Sequence, residues 1–272
     1  MDACRWRSSS VAAAPPRTAQ RRPSTAWHQH SLSALHETVR VGARCSDNAP
    51  CRSLTVGIEG RVEALTQDAV IYHFTHIDNI PNIIAAGGLL ADGQTNGRMQ
   101  VEVGDQAIKT RRRELVVPKS PGGVPADYVP FYFAPRSPMM LCIKSGRVPQ
   151  YQEGQEPLIY LTSTARLMAS QGIPYLFTDG NCASRVTSYY DDLSDLGKVD
   201  WSIMRATMWR DTADDPDRKR RRMAEFLMHR FAPLQAINGM ATMTTRMESR
   251  LTSILAEHGH AMNVKVQREW YY

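Results

Sequence analysis

No run of about 18 or more apolar residues occurs anywhere in the chain, so no segment has the length a helix needs to cross a bilayer. The greasiest window, residues 80–90, is interrupted by Pro81, Asn82 and the pair Gly87–Gly88. Nor does a continuous apolar segment follow the first arginines, which excludes a secretory signal. Cysteine is sparse and odd in number: Cys4, Cys45, Cys51, Cys142 and Cys182 form no CxxC pair and no Cys/His spacing suited to zinc. No metal site is therefore expected, and a reducing, cytoplasmic setting is the simplest one. Lysine is absent from residues 1–52 and acids are few there. Eight arginines against three acidic residues give this stretch a net charge of +5, leaving +1 of the chain's +6 for everything beyond it. Net charge thus says little about the body of the protein, and local clusters matter instead.

Residues 1–55 are rich in Arg, Ser, Ala and Pro and contain the breakers PPRTAQRRPS and SDNAPCRS. We read them as a disordered segment without a role of its own, ahead of the transit-peptide reading that the same composition allows. Residues 56–272 read as one domain, since a chain that is 42% hydrophobic can bury a full core at this size. No internal repeat is visible. A buried strand is expected over Ala69–Phe74, then a helix capped by Asp78 with Pro81 in its first turn, ending at Gly87–Gly88. Residues 91–127 are a long polar connection with one short charged helix near Ile108–Leu115, and such a connection is uncommon in a compact domain unless it binds something. Strands are expected at Tyr128–Phe133, Leu158–Thr162 and Tyr175–Thr178, and a helical piece at Ser163–Gln171. An amphipathic helix is expected at Thr244–His258, and a closing strand at Val264–Tyr272. The run Met140–Ile143 is simply apolar, and Ala224–Arg230 fits strand or helix equally.

Within this frame a few residues carry chemistry. Glu225 lies between Ala224 and the run Phe226–Met228, and a carboxylate in such a setting must be paired or catalytic. His73 and Thr75 share one face of their strand, because side chains alternate with period two. The clusters Lys109–Arg113 and Arg218–Arg222 are candidate phosphate contacts, because guanidinium groups bind phosphate bidentately. Each feature also has a plainer explanation: a strand histidine packs in a core, a buried glutamate pairs with one of Arg218–Arg222, and a charge run is a solvated helix face. Tyr132, Phe133, Tyr175 and Phe177 could stack on a base or on nicotinamide, but core packing explains each of them more simply.

Their order along the chain is more specific. HFTHIDNIP…GGLL, KTRRRELVVP, DYVPFYFAPRSPM, the DGN of Asp179–Asn181, RRRMAEFL and the terminal YY together resemble the DarT-type DNA ADP-ribosyltransferases, toxins of bacterial toxin–antitoxin pairs. The resemblance covers roughly residues 69–272. It implies an α+β, compact ADP-ribosyltransferase fold, with a split mixed or antiparallel sheet and flanking helices around an NAD+ cleft. The implied reaction transfers ADP-ribose from the co-substrate NAD+ to a base in single-stranded DNA, thymine ahead of guanine, and releases nicotinamide. No metal is implied, and a macrodomain antitoxin that removes the modification is the implied partner.

By the same resemblance His73, Phe74, Thr75, Asn82 and Leu90 contact NAD+, and Glu225 is the catalytic glutamate. An arginine among Arg111, Arg112 and Arg113, which we assign as Arg112, touches NAD+ and helps deprotonate the target base. Arg111, Arg113, Arg220, Arg221 and Arg222 are left to contact nucleic acid. The chemistry agrees with these assignments. Breaking the ribose–nicotinamide bond builds positive charge that a carboxylate stabilises, and single strands expose the base edge that pairing hides. The competing readings are an ADP-ribosyltransferase acting on RNA or protein, an NAD+ glycohydrolase, and a non-enzymatic nucleic-acid-binding module with Glu225 merely structural.

Overall fold

The structure, a computed structural model, describes residues 68–95 and 97–272. The expected disorder of residues 1–55 and the expected domain start at residue 56 lie outside the described residues. Ten strands and seven α-helices are seen among the described residues: β1 Val70–His76, α1 Ile80–Ala85, β2 Gly88–Leu90, α2 Gln106–Glu114, β3 Tyr128–Tyr132, α3 Pro138–Lys144, β4 Leu158–Thr164, α4 Ala165–Ala169, β5 Tyr175–Thr178, β6 Tyr189–Tyr190, α5 Trp201–Arg205, α6 Arg218–Arg222, β7 Glu225–His229, β8 Phe231–Pro233, β9 Gly239–Thr242, α7 Thr245–Glu257 and β10 Val264–Val266. Eight strands form one sheet in the order β10-β9-β4-β1-β3-β7-β5-β6, and β2 pairs with β8 in a separate ribbon. Only the β10–β9 pairing is parallel, so the sheet is mixed and mostly antiparallel, as an α+β fold of this class requires.

The sheet is nearly divided in two. β1 and β4 pair over seven residues and β3 and β7 over five, but β1 and β3 meet at Tyr72 and Tyr132 alone. Continuing that register would set Pro130 against Phe74, and proline has no N–H to complete the pair. The Pro130 carbonyl instead accepts a bond from His73 Nδ1 at 2.8 Å. One proline in a central strand thus opens a seam between two half-sheets, and the seam becomes the cleft described below.

Alternation along β1 and β4 feeds a core on each face. Ile71, Ile159 and Leu161 join Phe131, Phe177 and Phe226 in one cluster, while Phe74, Leu158 and Tyr160 join Met140 and Tyr271 in the other. α7 covers the first cluster with Met247, Leu251 and Leu255, spaced four apart on one face and all buried, and each such side chain contributes about 2 kcal/mol by burial. Thr244 caps it, its side chain accepting from the Met247 N–H.

Two expectations, the Asp78 cap and the closing strand, are corrected, and two open readings are decided. Asp78 caps nothing: it sits in a 3-10 turn, Ile77–Asn79, that precedes α1, and its carboxylate pairs with Arg250 on α7. Met140–Ile143 is helical, because Ser137 caps α3 by accepting from Met140 N and Pro138 fits the first turn. The run after Ala224 is a strand, ended at Arg230, whose φ of 64° turns the chain into β8. The closing strand is only three residues long. A 3-10 turn at Arg268–Trp270 then turns Tyr271 inward, where it is 1% exposed.

Candidate active site

A cavity of about 220 Å³ fills the seam, lined from β1 by His73, Phe74 and Thr75, from α1 by Asn82, from β2 by Leu90, from α2 by Lys109 and Arg112, and from β3 by Pro130 and Tyr132. All six residues expected to meet NAD+, His73, Phe74, Thr75, Asn82, Leu90 and Arg112, therefore share one cavity. Burial lowers the His73 pKa, only partly offset by its bond to Pro130. Since a carbonyl can only accept, Nδ1 carries the proton and Nε2 is left as an acceptor.

The connection after β2 folds over this cavity because Asn79 ties it down. Asn79 is 2% exposed. Its Oδ1 accepts from the N–H groups of Gln100 and Val101 at 2.9 and 3.0 Å, and its Nδ2 donates to the Val101 carbonyl and to Thr75 Oγ1 at 2.8 and 3.0 Å. Asn82 adds a bond from Nδ2 to the Arg98 carbonyl at 2.6 Å. Farther along, Asp105 caps α2 by accepting from Ala107 N and Ile108 N. Asn79 was not legible as a site residue, since a polar residue before a helix reads as an ordinary cap.

α2 carries the three arginines across the cleft mouth. Neighbouring helical side chains point about 100° apart, so only one can face the sheet, and that one is Arg112. Its Nη1 donates to Glu225 Oε2 at 2.8 Å and lies 2.9 Å from Cys182 Sγ, while Nη2 donates to the Pro125 carbonyl at 3.2 Å. Arg113 and Lys109 pair with Asp92, and Lys109 also with Glu102. Arg111 is half-buried on the same helix.

Glu225 opens β7, directly opposite Tyr132, and its side chain is 1% exposed. Its Oε1 accepts from the Cys182 N–H at 3.2 Å. Its own N–H donates to Thr178 Oγ1 at 3.0 Å, and that hydroxyl donates to the Gly180 carbonyl at 2.6 Å. Burial works against charge on Arg112, and Cys182 and Glu225 more than reverse this, so Arg112 is held above its ordinary value. The Cys182 thiol is itself pushed well up by burial. Cys182 read as a small core hydrophobe in the sequence. Its contribution is a main-chain N–H, which residue type does not advertise.

A carboxylate held by an arginine and a main-chain N–H, next to a cavity walled by HFT, is matched beyond geometry. Residues 72–272 match the family described as "ssDNA thymidine ADP-ribosyltransferase, DarT". The chain belongs to the DarT family. A DarT relative from Thermus sp. (strain 2.9), a DNA ADP-ribosyl transferase, is 38% identical over 204 residues, spanning 74% of this chain and 95% of the relative. The solved Thermus sp. 2.9 DarT in complex with ADP-ribosylated ssDNA superposes with a TM-score of 0.71 at 36% identity, covering 75% of this chain and 97% of that one. The same Thermus DarT in complex with NAD+ gives 0.68 at 35% identity, covering 76% and 98%.

The second basic cluster of this DarT chain lies away from the cavity lining. Arg220, Arg221 and Arg222, the expected contacts for nucleic acid, all have partners within the fold. Arg222 is 5% exposed and donates to the carbonyls of Ile203, Met204, Ala206 and Pro135, closing the C-terminal end of α5. Arg221 pairs with Asp200 and Asp215, and Arg220 with Asp179 and Asp217. The acids that absorb the cluster come from scattered positions, so the run looked unbalanced in sequence. Among the described residues no group of His, Cys, Asp or Glu could hold a metal ion, and no helix is long and apolar enough to cross a membrane.

Proposed function

We propose that this chain attaches the ADP-ribosyl group of NAD+ to thymidine in single-stranded DNA through Glu225 and Arg112. The protein is an NAD+-dependent DNA ADP-ribosyltransferase, as its DarT membership and the NAD+ and DNA complexes of its Thermus relative support. The observation that carries the site assignment is the pair Arg112–Glu225 beside the His73 cavity. NAD+ supplies the ADP-ribosyl group, and nicotinamide is the leaving group. The bond to nicotinamide breaks, a bond from the same ribose carbon to the base forms, and the base gives up one proton.

His73 Nε2, as an acceptor, and Thr75 Oγ1, whose own hydrogen is free while Asn79 donates to it, suit ribose hydroxyls or an amide edge. Phe74 and Leu90 supply apolar wall, Asn82 holds the covering loop, and Arg98, exposed on the cavity wall, has no acidic partner among the described residues and suits a phosphate. Glu225 places negative charge where positive charge grows on the ribose. Arg112 lies between Glu225 and the cavity and is cationic there, so it acts as a donor. A cationic guanidinium cannot accept a proton, so Arg112 helps the deprotonation that the family resemblance implies by steadying the anionic base with its N–H donors, and the proton leaves to solvent. Arg111 and Arg113 sit at the cleft mouth, where incoming DNA meets them.

Incubation with NAD+ and a panel of single-stranded DNA, RNA and protein substrates, followed by mass spectrometry of the product, tests this reading. A thymidine adduct on DNA is expected. Nicotinamide release without label on DNA would make the protein a glycohydrolase, and a guanine adduct would move it to the other branch. A macrodomain protein that strips the adduct is the expected partner, read out by loss of label on its addition. We place the enzyme in the cytoplasm, where NAD+ and single-stranded DNA occur together.

A further inference from the structure

Arg220 lies five residues before Glu225, and its guanidinium crosses the backbone of the turn that faces the carboxylate. Nη1 donates to Asp179 Oδ1 at 2.9 Å and to Thr187 Oγ1 at 3.2 Å, which are the two ends of the turn 179–187. Nε and Nη2 grip Asp217 Oδ1 and Oδ2 at 2.8 and 2.7 Å. The Arg220 carbonyl accepts from Asn181 N at 3.0 Å. The guanidinium lies so close to Gly180 that a Cβ there would fall 2.2 Å from Nη1. Inside the turn, Asn181 Oδ1 accepts from Ala183 N at 2.8 Å, and the Thr187 hydroxyl donates to the Asn181 carbonyl at 2.7 Å. What this lattice of bonds fixes is the direction of one group, the Cys182 N–H, which meets Glu225 Oε1.

We propose that Arg220 is a positioning residue for the transfer reaction, clamping turn 179–187 so that the Cys182 N–H holds the Glu225 carboxylate in place. The proposal rests on the reading of Glu225 as the catalytic carboxylate. A role as a DNA contact is a poor alternative. The guanidinium side chain is 14% exposed, and of the five N–H donors an arginine has four already point at the acceptors named above.

Two consequences separate positioning from mere stability. The cavity is lined from β1, α1, β2, α2 and β3, and no hydrogen bond or ion pair of Arg220 reaches these elements, so KM for NAD+ should hold while kcat falls. Glu225 is also surrounded by Arg112, the Cys182 thiol, Tyr132 and Tyr189. If the N–H donor swings away, the carboxylate loses one of its two hydrogen bonds and protonates more easily, so the acid limb of the pH–rate profile moves to higher pH.

The test compares Arg220→Gln, Arg220→Lys and Gly180→Ala in the full chain with Glu225→Ala alongside, using NAD+ and a thymidine-containing single-stranded oligonucleotide. Arg220→Gln and Gly180→Ala should lose about ten- to a hundredfold in kcat, with KM for NAD+ within about twofold and the acid limb raised. Arg220→Lys, which keeps one ion pair but not the flat clamp, should fall between them and the parent and serves as the readout if the others do not fold. Wild-type kcat and acid limb in Arg220→Lys and Arg220→Gln would overturn the proposal. So would weaker DNA binding with a reduced salt slope at unchanged kcat, which marks a phosphate contact. Activity surviving in Glu225→Ala would instead sink the reading of Glu225, whatever the Arg220 variants do.

Discussion

Replacing Glu225 by Gln keeps the shape of the side chain and an oxygen for the Cys182 N–H, but leaves Arg112 facing a neutral amide. A hydrogen bond to a charged group is worth about 1.5–3 kcal/mol, and removing one partner of a fully buried pair costs about 3–5 kcal/mol. Arg112 is 15% exposed against 1% for Glu225, and it lines the cavity, so water reaches one side of it and the lower figure applies. We expect Glu225→Gln to lose about 2 kcal/mol, which lowers Tm by about 4–8 °C for a domain of this size. Catalysis should fall much further, by about a hundred- to a thousandfold in nicotinamide release with DNA present. The decisive assay is a double-mutant cycle with Arg112→Gln, by chemical denaturation at pH 7 without NAD+, where the coupling should be about 2 kcal/mol. A coupling below about 0.5 kcal/mol would show that the pair does not form in solution and would refute the placement of Arg112 between Glu225 and the cavity.

The remaining expectations concern pH and the second basic cluster. The His73 pKa is depressed in the fold by burial, so the unfolded chain binds a proton more readily and stability is lost as pH drops through the ordinary histidine value of about 6.5. His73→Gln should flatten the fall in stability between pH 7 and pH 5, and an unchanged slope would mean that His73 is not buried neutral. Arg222→Ala strands four carbonyls around α5 and should lower stability by about 3 kcal/mol, while leaving the salt dependence of DNA binding as it was. A reduced salt slope with stability intact would return Arg222 to the DNA surface.

Features legible in the sequence were those in which one residue type in one local pattern has a single physical resolution. A carboxylate in an apolar run had to be paired or catalytic, and Glu225 is 1% exposed with a charged partner. Period-two alternation put His73 and Thr75 into one cavity, and four-residue spacing fixed the buried face of α7. What stayed hidden depended on distant partners or on the main chain. Cys182 acts through its N–H, and Asn79 through bonds to a loop more than 20 residues on. The Arg220–Arg222 run looked like a phosphate surface because Asp179 and Asp200, which neutralise two of its members, are 41 and 21 residues away. The short apolar runs around Met140 and Leu227 could not declare their period, and capping by Ser137 in one and pairing with β3 and β5 in the other decided them.

The missing N–H of Pro130 has a mechanical side as well. Two well-laddered plates, β10-β9-β4-β1 and β3-β7-β5-β6, are joined edge to edge at Tyr72–Tyr132, so the weakest line in the sheet runs beside the cavity. Motion that widens or narrows the space between His73 and Glu225 can therefore occur by one plate tilting against the other about that joint, without breaking the ladders inside either. A continuous eight-stranded ladder would have to bend as a whole to do the same. Compliance is confined to the line beside the cavity, and stiffness is kept in the ladders that carry His73 and Glu225.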